Sequence, residues 1–347
     1  MKLSIIIPIK ITFQNRFLLD RVKHLIAFFS TEDIEVIIVD SSSKKRYSKA
    51  ILSLCKHKSV EYYHLAMDDI YSASKARNYG SKVAKGEYLL FYDVDLLVKD
   101  DFISNVLNDI ERLSPPAFTI YPCLYLSESK TKKIEGKSLD NKIFGEIKTR
   151  YMEGHNDEVL YLAVNTSTIL VNREHFFKIG AYNEVYKGHG YEDFELIHRL
   201  YMAYPIVPRE KEYILDFKTP FPKYYKGFRQ YFSYYALPNF FKGNYTLHLW
   251  HPRPLTKKYY RHREVNLDYF IAHLKESFES KLEKRYFDKT ILNYSDFIDK
   301  LLLEHGFSDK KYCGLDDLNL IAKSQKPKFN LKRKIRRRFL NLWDRVR

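Results

Sequence analysis

Residues 87–95 read Glu-Tyr-Leu-Leu-Phe-Tyr-Asp-Val-Asp, an apolar run that ends in two carboxylates. With Gly86 before it and four large apolar side chains in succession, the run has the pattern of a strand buried on both faces, as in parallel sheets. Asp93 and Asp95 flank a single valine, so their side chains leave the strand on the same side while Val94 turns inward. Two carboxylates in one crevice repel each other unless a cation joins them. Hard oxygen ligands of this kind suit Mg2+ or Mn2+ bridging to phosphate oxygens. The plain alternative is a solvated turn carrying two loop aspartates.

Working outward from this strand, residues 3–9 and 35–40 form two further β-branched runs. Between them Phe17, Leu18, Val22, Leu25, Ile26 and Phe29 recur at helical spacing, which makes a β-α-β unit with a right-handed crossover. The alternation continues with a helix over 48–56, a strand over 60–64 and a helix over 73–84. The pattern predicts a doubly wound α/β domain, in which ligands bind beyond the carboxyl ends of the strands. Asp40 and the Asp93/Asp95 pair both fall there. Downstream, a helix over 101–113 stops before Pro115-Pro116, and 117–126 and 160–171 each read as one strand. The polar stretch 127–156 reads as a mobile excursion over the crevice. A short helix over 173–179 and a strand over 247–250 close the core; from 257 the chain is helical and charged, with a break at Pro327.

A second acidic pair follows a flexible loop. Glu192-Asp193 come directly after Gly188-His189-Gly190-Tyr191 and open a helix whose apolar residues are Phe194, Leu196, Ile197 and Leu200. The helix field favours the ionised carboxylate, and partial desolvation restores basicity, so either residue suits deprotonation of a hydroxyl. A capping pair is the alternative. His248 and His251 stand three apart around Trp250, and a neutral imidazole from either completes a cation's shell beside Asp95. Packing or substrate stacking is the competing role.

The formal charge of +16 calls for an anionic partner, and the 45% hydrophobic and 29% charged shares exclude wholesale disorder and a membrane-embedded body. Three widely spaced cysteines, Cys55, Cys123 and Cys313, match no zinc or disulfide framework and fit a reducing compartment. The opening decapeptide is too short an apolar run for a signal peptide, and no stretch approaches the ~20 apolar residues of a spanning helix. In residues 328–347, Leu331, Ile335, Phe339, Leu342 and Val346 form one stripe against a basic remainder. That pattern reads as peripheral attachment to anionic lipid or a partner enzyme, with a helix packed on the body as the alternative. No nucleic-acid reading module accompanies the charge.

Taken in order, SIIIPIK from Ser4, VIIVDSSS from Val36, SASKARNYGSKVAKGEYLLFYDVD ending at Asp95, IGAYNEVYKGHGYEDFELIHRL from Ile179 and HLWHPRP from His248 resemble glycosyltransferase family 2. Within it they are similar to bacterial chondroitin-polymerase and galactosyltransferase-like domains. The resemblance implies a GT-A fold, with a mostly parallel nucleotide-binding sheet flanked by helices and a helical C-terminal extension. It divides the chain into a catalytic domain over 1–256 (nucleotide-sugar half 1–113, acceptor half 114–256), an extension over 257–327 and the tail 328–347. It places Pro8 and Asp40 around the base and ribose, although Asp40 also reads as a helix cap. Arg77 and Asn78 hold the nucleotide sugar, with a surface charge as the other reading of Arg77. Asp95, more directly than Asp93, binds the metal, Asp193 is the base, and Glu192 binds acceptor or donor. Ser41-Ser42 and the GHGYED loop depart from the commoner family residues.

The implied reaction is Mn2+- or Mg2+-dependent transfer from a UDP-sugar to a saccharide hydroxyl with inversion. Its setting is capsule or lipopolysaccharide synthesis at the cytoplasmic face of a bacterial membrane. A nucleotidyltransferase would need a glycine-rich phosphate loop after the first strand, which IPIKITFQNR lacks. A non-catalytic polysaccharide-binding or scaffold protein would not require Asp93, Asp95 and Asp193.

Overall fold

The computed structural model describes residues 1–29, 34–56, 60–67, 70–137, 139–155, 157–252, 260–291, 293–307 and 314–315. The basic tail 328–347 lies outside the described residues, as does Cys313. Twelve strands are formed among the described residues: β1 (Leu3–Ile9), β2 (Ile34–Asp40), β3 (Glu61–His64), β4 (Tyr88–Phe91), β5 (Leu96–Leu97), β6 (Phe118–Ile120), β7 (Cys123–Leu126), β8 (Val159–Ala163), β9 (Ile169–Asn172), β10 (Asp216–Phe217), β11 (Lys226–Gly227) and β12 (Thr246–His248).

Six of them make the central sheet in the order β3-β2-β1-β4-β9-β6. β3, β2, β1 and β4 run parallel, whereas β9 is antiparallel to both its neighbours. Alternation along β1 sorts the core into two faces. Ile6 joins Leu89 and Phe91 on one side; Ile5 and Ile7 join Leu90 on the other. Helices Leu18–Phe29, Lys45–Lys56 and Phe102–Ile110 cover the second side. The first side is covered by Ala73–Val83, Glu192–Ala203, Arg263–Glu276 and Tyr294–Glu304, the last two contributing Phe270, Leu274, Ile298 and Leu301 to the same cluster.

Pro8 is buried within β1, where a central strand would normally need its N–H. Tyr92 N donates to Ile6 O, so residues 6 and 8 present their backbone to the β4 side. The β1–β4 register ends at Ile6 and Phe91. The missing donor therefore falls where β4 has already turned away toward Asp93.

A second sheet, β5-β12-β7-β8, crosses the carboxyl edge of the first. Residues 117–126, expected as one strand, are two: β6 belongs to the central sheet and β7 to the second, with Tyr121-Pro122 between them. Residues 160–171 divide in the same way into β8 and β9. The polar stretch expected to be a mobile loop is instead two helices, Glu128–Ile134 and Asn141–Met152. They bury Thr131, Ile134, Phe144, Ile147, Tyr151 and Met152 among exposed lysines and glutamates. No helix among the described residues is long and apolar enough to cross a membrane. Cys55 and Cys123 are buried free thiols, and burial pushes Cys55 up to about 12.

Candidate active site

Arg77 is the hub of one half of the site. Its helix Ala73–Val83 starts at Ser72, whose hydroxyl accepts from Lys75 N at 3.3 Å. The helix lies so close to β1 that a Cβ on Gly80 would stand 2.6 Å from Ile6 Cγ2. That approach delivers the guanidinium, 2% exposed, to the carboxyl edge of the sheet. Nη2 donates to Asp93 Oδ1 at 3.0 Å and Nη1 to Asp193 Oδ1 at 2.7 Å, with Glu192 Oε1 at 4.0 Å. Ser167 donates to the other Asp93 oxygen at 2.6 Å, and the Tyr182 hydroxyl to Asp193 Oδ1 at 3.2 Å. Among the described residues no hydrogen bond uses Asp193 Oδ2.

One guanidinium thus serves three carboxylates. Burial first, then the charge of Asp193, pushes Glu192 up to about 8. Burial also raises Asp193, with Arg77 opposing and Asp93 adding to the rise. Carboxylates whose proton affinity is raised in a crevice are suited to take a proton at neutral pH.

The loop before this pair is bent by three residues in the left-handed region: Gly188 (φ 71°), Gly190 (φ 98°) and Tyr191 (φ 74°). A tyrosine held there costs ~1 kcal/mol or more, which the surroundings must offset. Asn266, buried in helix Arg263–Glu276, donates to Lys187 O at 3.0 Å and Gly190 O at 2.9 Å, and Gly188 N donates to Tyr71 O at 2.9 Å. The turn is clamped from two elements, and it sets Glu192 and Asp193 in the first turn of helix Glu192–Ala203.

The other half is a carboxylate with two imidazoles. β5 pairs with β12 so that His248 faces Leu96, and Leu249 N donates to Asp95 O at 2.9 Å. Nε2 of His248 and Nε2 of His251 each lie 3.2 Å from Asp95 Oδ2. The donor atoms of the three residues all fall within 4.8 Å of one another. Burial opposes ionisation of Asp95, yet the two imidazoles hold it well below the usual carboxylate range. Convergence of both Nε2 atoms on one oxygen, with a mixed carboxylate and imidazole donor set, fits a divalent cation such as Mn2+. Asp93 is not in this group: its two oxygens are taken by Arg77 and Ser167.

The remaining sequence candidates stand behind the crevice. Asn78 donates to Tyr182 O and to Glu184 Oε1, each at 2.9 Å, and accepts from Tyr182 N, so its amide fastens the 182–184 segment. Asp40 has no exposed surface. It accepts from Ser43 N at 2.9 Å, Ser48 Oγ at 2.6 Å and the Tyr62 hydroxyl at 2.8 Å, so its carboxylate braces the turn between β2 and helix Lys45–Lys56, and among the described residues no first-turn N–H of that helix donates to it. Four residues escaped the sequence reading: Ser167, Tyr182, Asn266 and Arg21. Each acts through a partner distant in the chain, and only Tyr182 lies inside a recognisable motif.

A mostly parallel α/β sheet with acidic groups gathered at its carboxyl edge is the frame of a glycosyltransferase of GT-A type. Residues 4–276 match the family described as glycosyltransferase-like family 2, and the chain belongs to that family.

Among similar proteins, validoxylamine A glucosyltransferase of Streptomyces hygroscopicus subsp. jinggangensis is 26% identical over 225 residues, covering 57% of this chain and 51% of the relative. Glycosyltransferase GlyG of Streptococcus pneumoniae serotype 4 is 28% identical over 109 residues, 31% of this chain and 35% of that one. The chain therefore spans about half, or less, of the length of these relatives. Of solved structures, S. aureus TarS 1-349 in complex with UDP-GlcNAc is similar at a TM-score of 0.38 and 16% identity, covering 58% of this chain and 54% of that one. The mannosyltransferase PcManGT from Pyrobaculum calidifontis, in complex with GDP-Man and Mn2+, is similar at 0.45 and 13%, covering 99% and 87%.

Proposed function

We propose that this glycosyltransferase moves a sugar from a UDP-sugar to a hydroxyl of a saccharide acceptor, with inversion at the anomeric carbon, in the assembly of a bacterial surface polysaccharide. The observation that carries the reading is the bridge from Asp93 through Arg77 to Asp193, beside the converging Asp95, His248 and His251.

In this reading Asp193 Oδ2 receives the acceptor proton, because Oδ1 is already held by Arg77 and Tyr182. The acceptor oxygen attacks the anomeric carbon, and the bond to the diphosphate breaks with its electron pair leaving on the phosphate oxygen. Proton transfer of this kind is typically worth ~10²–10⁴-fold. Asp95, His248 and His251 would hold a divalent cation, which supplies neutralisation of the diphosphate's charge when bound. Asp93, fixed by Ser167 and Arg77, orients the donor sugar; Glu192 lies within reach of the same sugar. Pro8 and Asp40 shape the strand ends beneath the base. The basic tail 328–347 is proposed to keep the enzyme at the inner face of the membrane.

The test is UDP release from a panel of UDP-sugars with and without Mn2+. Asp193→Asn is expected to lower kcat by ~10²-fold or more while leaving Mn2+ binding intact. Asp95→Asn is expected to lose Mn2+ binding and turnover together. Equal turnover in metal-free and Mn2+ buffer would refute the reading.

A further inference from the structure

Away from the catalytic groups, three cations gather around one carboxylate, each seated on an aromatic ring. The Arg263 guanidinium lies 5.1 Å from the Tyr191 ring centroid, Arg229 4.6 Å from that of Phe194, and Lys218 Nζ 5.1 Å from that of Tyr161. Tyr191 and Phe194 bracket Glu192-Asp193 in the chain, so Arg263 and Arg229 rest on the residues that flank the acidic pair.

Lys218 reaches the same place from the cation site. His248 stacks on Tyr125 at 4.1 Å, and Tyr125 on Tyr161 at 4.4 Å; Lys218 lies beyond Tyr161. Strand register builds this row, since His248 is paired with Tyr125 and Tyr125 with Tyr161 across β12, β7 and β8. Lys218 is thereby joined to the cation site through a row of stacked rings.

The charges there do not cancel. Asp216 is bound by Arg229, with Nη2 at 3.2 Å, and accepts from the Tyr191 hydroxyl at 3.4 Å. Neither the Lys218 nor the Arg263 side chain has a carboxylate or hydrogen-bond partner among the described residues; both residues keep exposed surface, with the Lys218 amine itself partly enclosed. Partial burial and the neighbouring charge of Arg229 hold the Lys218 pKa below the ordinary lysine value, with Arg263 adding to the effect and Asp216 opposing. Like charges left facing each other without a counter-ion make a site for an anion. Phe217, 49% exposed beside Lys218, offers an apolar surface to a sugar ring.

We infer that Lys218 and Arg263 form an anion subsite that selects an acceptor saccharide carrying a negative group, a uronate or a phosphate, on the sugar at the crevice. The inference rests on the proposed saccharide acceptor and narrows its class.

The experiment uses the full chain and three matched oligosaccharides whose terminal residue is glucose, glucuronate or glucose 6-phosphate, with binding measured by calorimetry at low and high salt. One or both charged probes should bind about tenfold more tightly than the neutral one, and the preference should shrink as salt rises. The stronger of the two identifies the anion. The double variant Lys218→Gln/Arg263→Gln should bring all three within about threefold of one another, with acceptor-free UDP release unchanged. Equal binding of the three probes by the natural chain, or a preference that survives in the double variant, overturns the inference. Because binding is measured without a donor, an enzyme that cleaves no UDP-sugar would sink the proposed function without deciding this result.

Discussion

The two halves of the site solve opposite electrostatic problems. Around Arg77 the cation is part of the protein: a buried guanidinium already holds Asp93 and Asp193, with Glu192 close by. Around Asp95 the protein supplies donors alone, one carboxylate and two imidazoles. The first half is complete as folded and its groups hold one another in place. The second is oriented from outside, by backbone and by residues that never touch the donor atoms. Substitutions should therefore separate the halves: stability and proton transfer belong to the first, cation affinity to the second.

The largest expected effect comes from removing the internal cation. Arg77→Met leaves three carboxylates facing one another without compensation. Breaking a buried pair costs ~3–5 kcal/mol, and the lower end applies because Asp93 keeps substantial contact with water. Urea unfolding should show a loss of about 3 kcal/mol, with Mn2+ affinity changed less than about threefold. If Mn2+ binding instead falls as far as it does in Asp95→Asn, the halves are not independent and the comparison breaks.

A smaller effect should appear on the other side. Arg21, 5% exposed in the first helix, donates to Trp250 O at 2.9 Å and to Glu135 Oε1 at 2.7 Å. Its guanidinium lies 4.9 Å from the Phe17 ring centroid, and Phe17 stacks on His251 at 6.0 Å. Thr131 receives Trp250 N at 2.8 Å. The backbone between His248 and His251 is thus pinned by two helices outside the second sheet. Groups that orient metal ligands are typically worth 10–100-fold in affinity. Arg21→Met should weaken Mn2+ binding about tenfold, measured by the electron paramagnetic resonance signal of free Mn2+, while kcat at saturating Mn2+ stays within about twofold. Arg21→Lys should recover part of the affinity. A loss of kcat that saturating Mn2+ does not restore would show that Arg21 acts on the catalytic half.

Much of this division was legible in the sequence, though not its supports. The strands β1, β2 and β4 are continuous apolar runs, so their burial and the position of Asp93 and Asp95 at a strand end follow from pattern. Glu192-Asp193 after a glycine loop, and His248 with His251 after a late strand, carry their chemistry in adjacent letters. The second sheet did not show itself, because residues 117–126 and 160–171 each have the length and β-rich composition of a single strand. The chain changes sheets inside each of them, at Tyr121-Pro122 in the first and across the polar run Asn165–Thr168 in the second. Helices Glu128–Ile134 and Asn141–Met152 were hidden by lysines and glutamates that dilute their buried positions. Arg21 and Asn266 read as ordinary helix residues: their partners, Trp250 and Gly190, are 229 and 76 positions away. The separate duties of Asp93 and Asp95 were equally out of reach, since one valine between two aspartates suggests a shared ion.

The smallest expected effect is a shift in pH dependence confined to the Arg77 half. Burial raises the Asp193 pKa above its ordinary value of 3.8, and the Tyr182 hydroxyl, donating to Oδ1, lowers it by favouring the charged form. A base works only when ionised, so kcat should fall as pH drops through the raised pKa, with the acid limb above the usual aspartate range. Tyr182→Phe removes the donor and leaves the ring beneath Arg77 in place. A hydrogen bond to a carboxylate is worth about 1 kcal/mol in this setting, so the acid limb should move up by about half to one pH unit. The Mn2+ affinity at pH 8 should not change, because Tyr182 makes no contact with Asp95, His248 or His251. A limb that stays put, or moves toward lower pH, would mean that the proton is taken by a group other than Asp193.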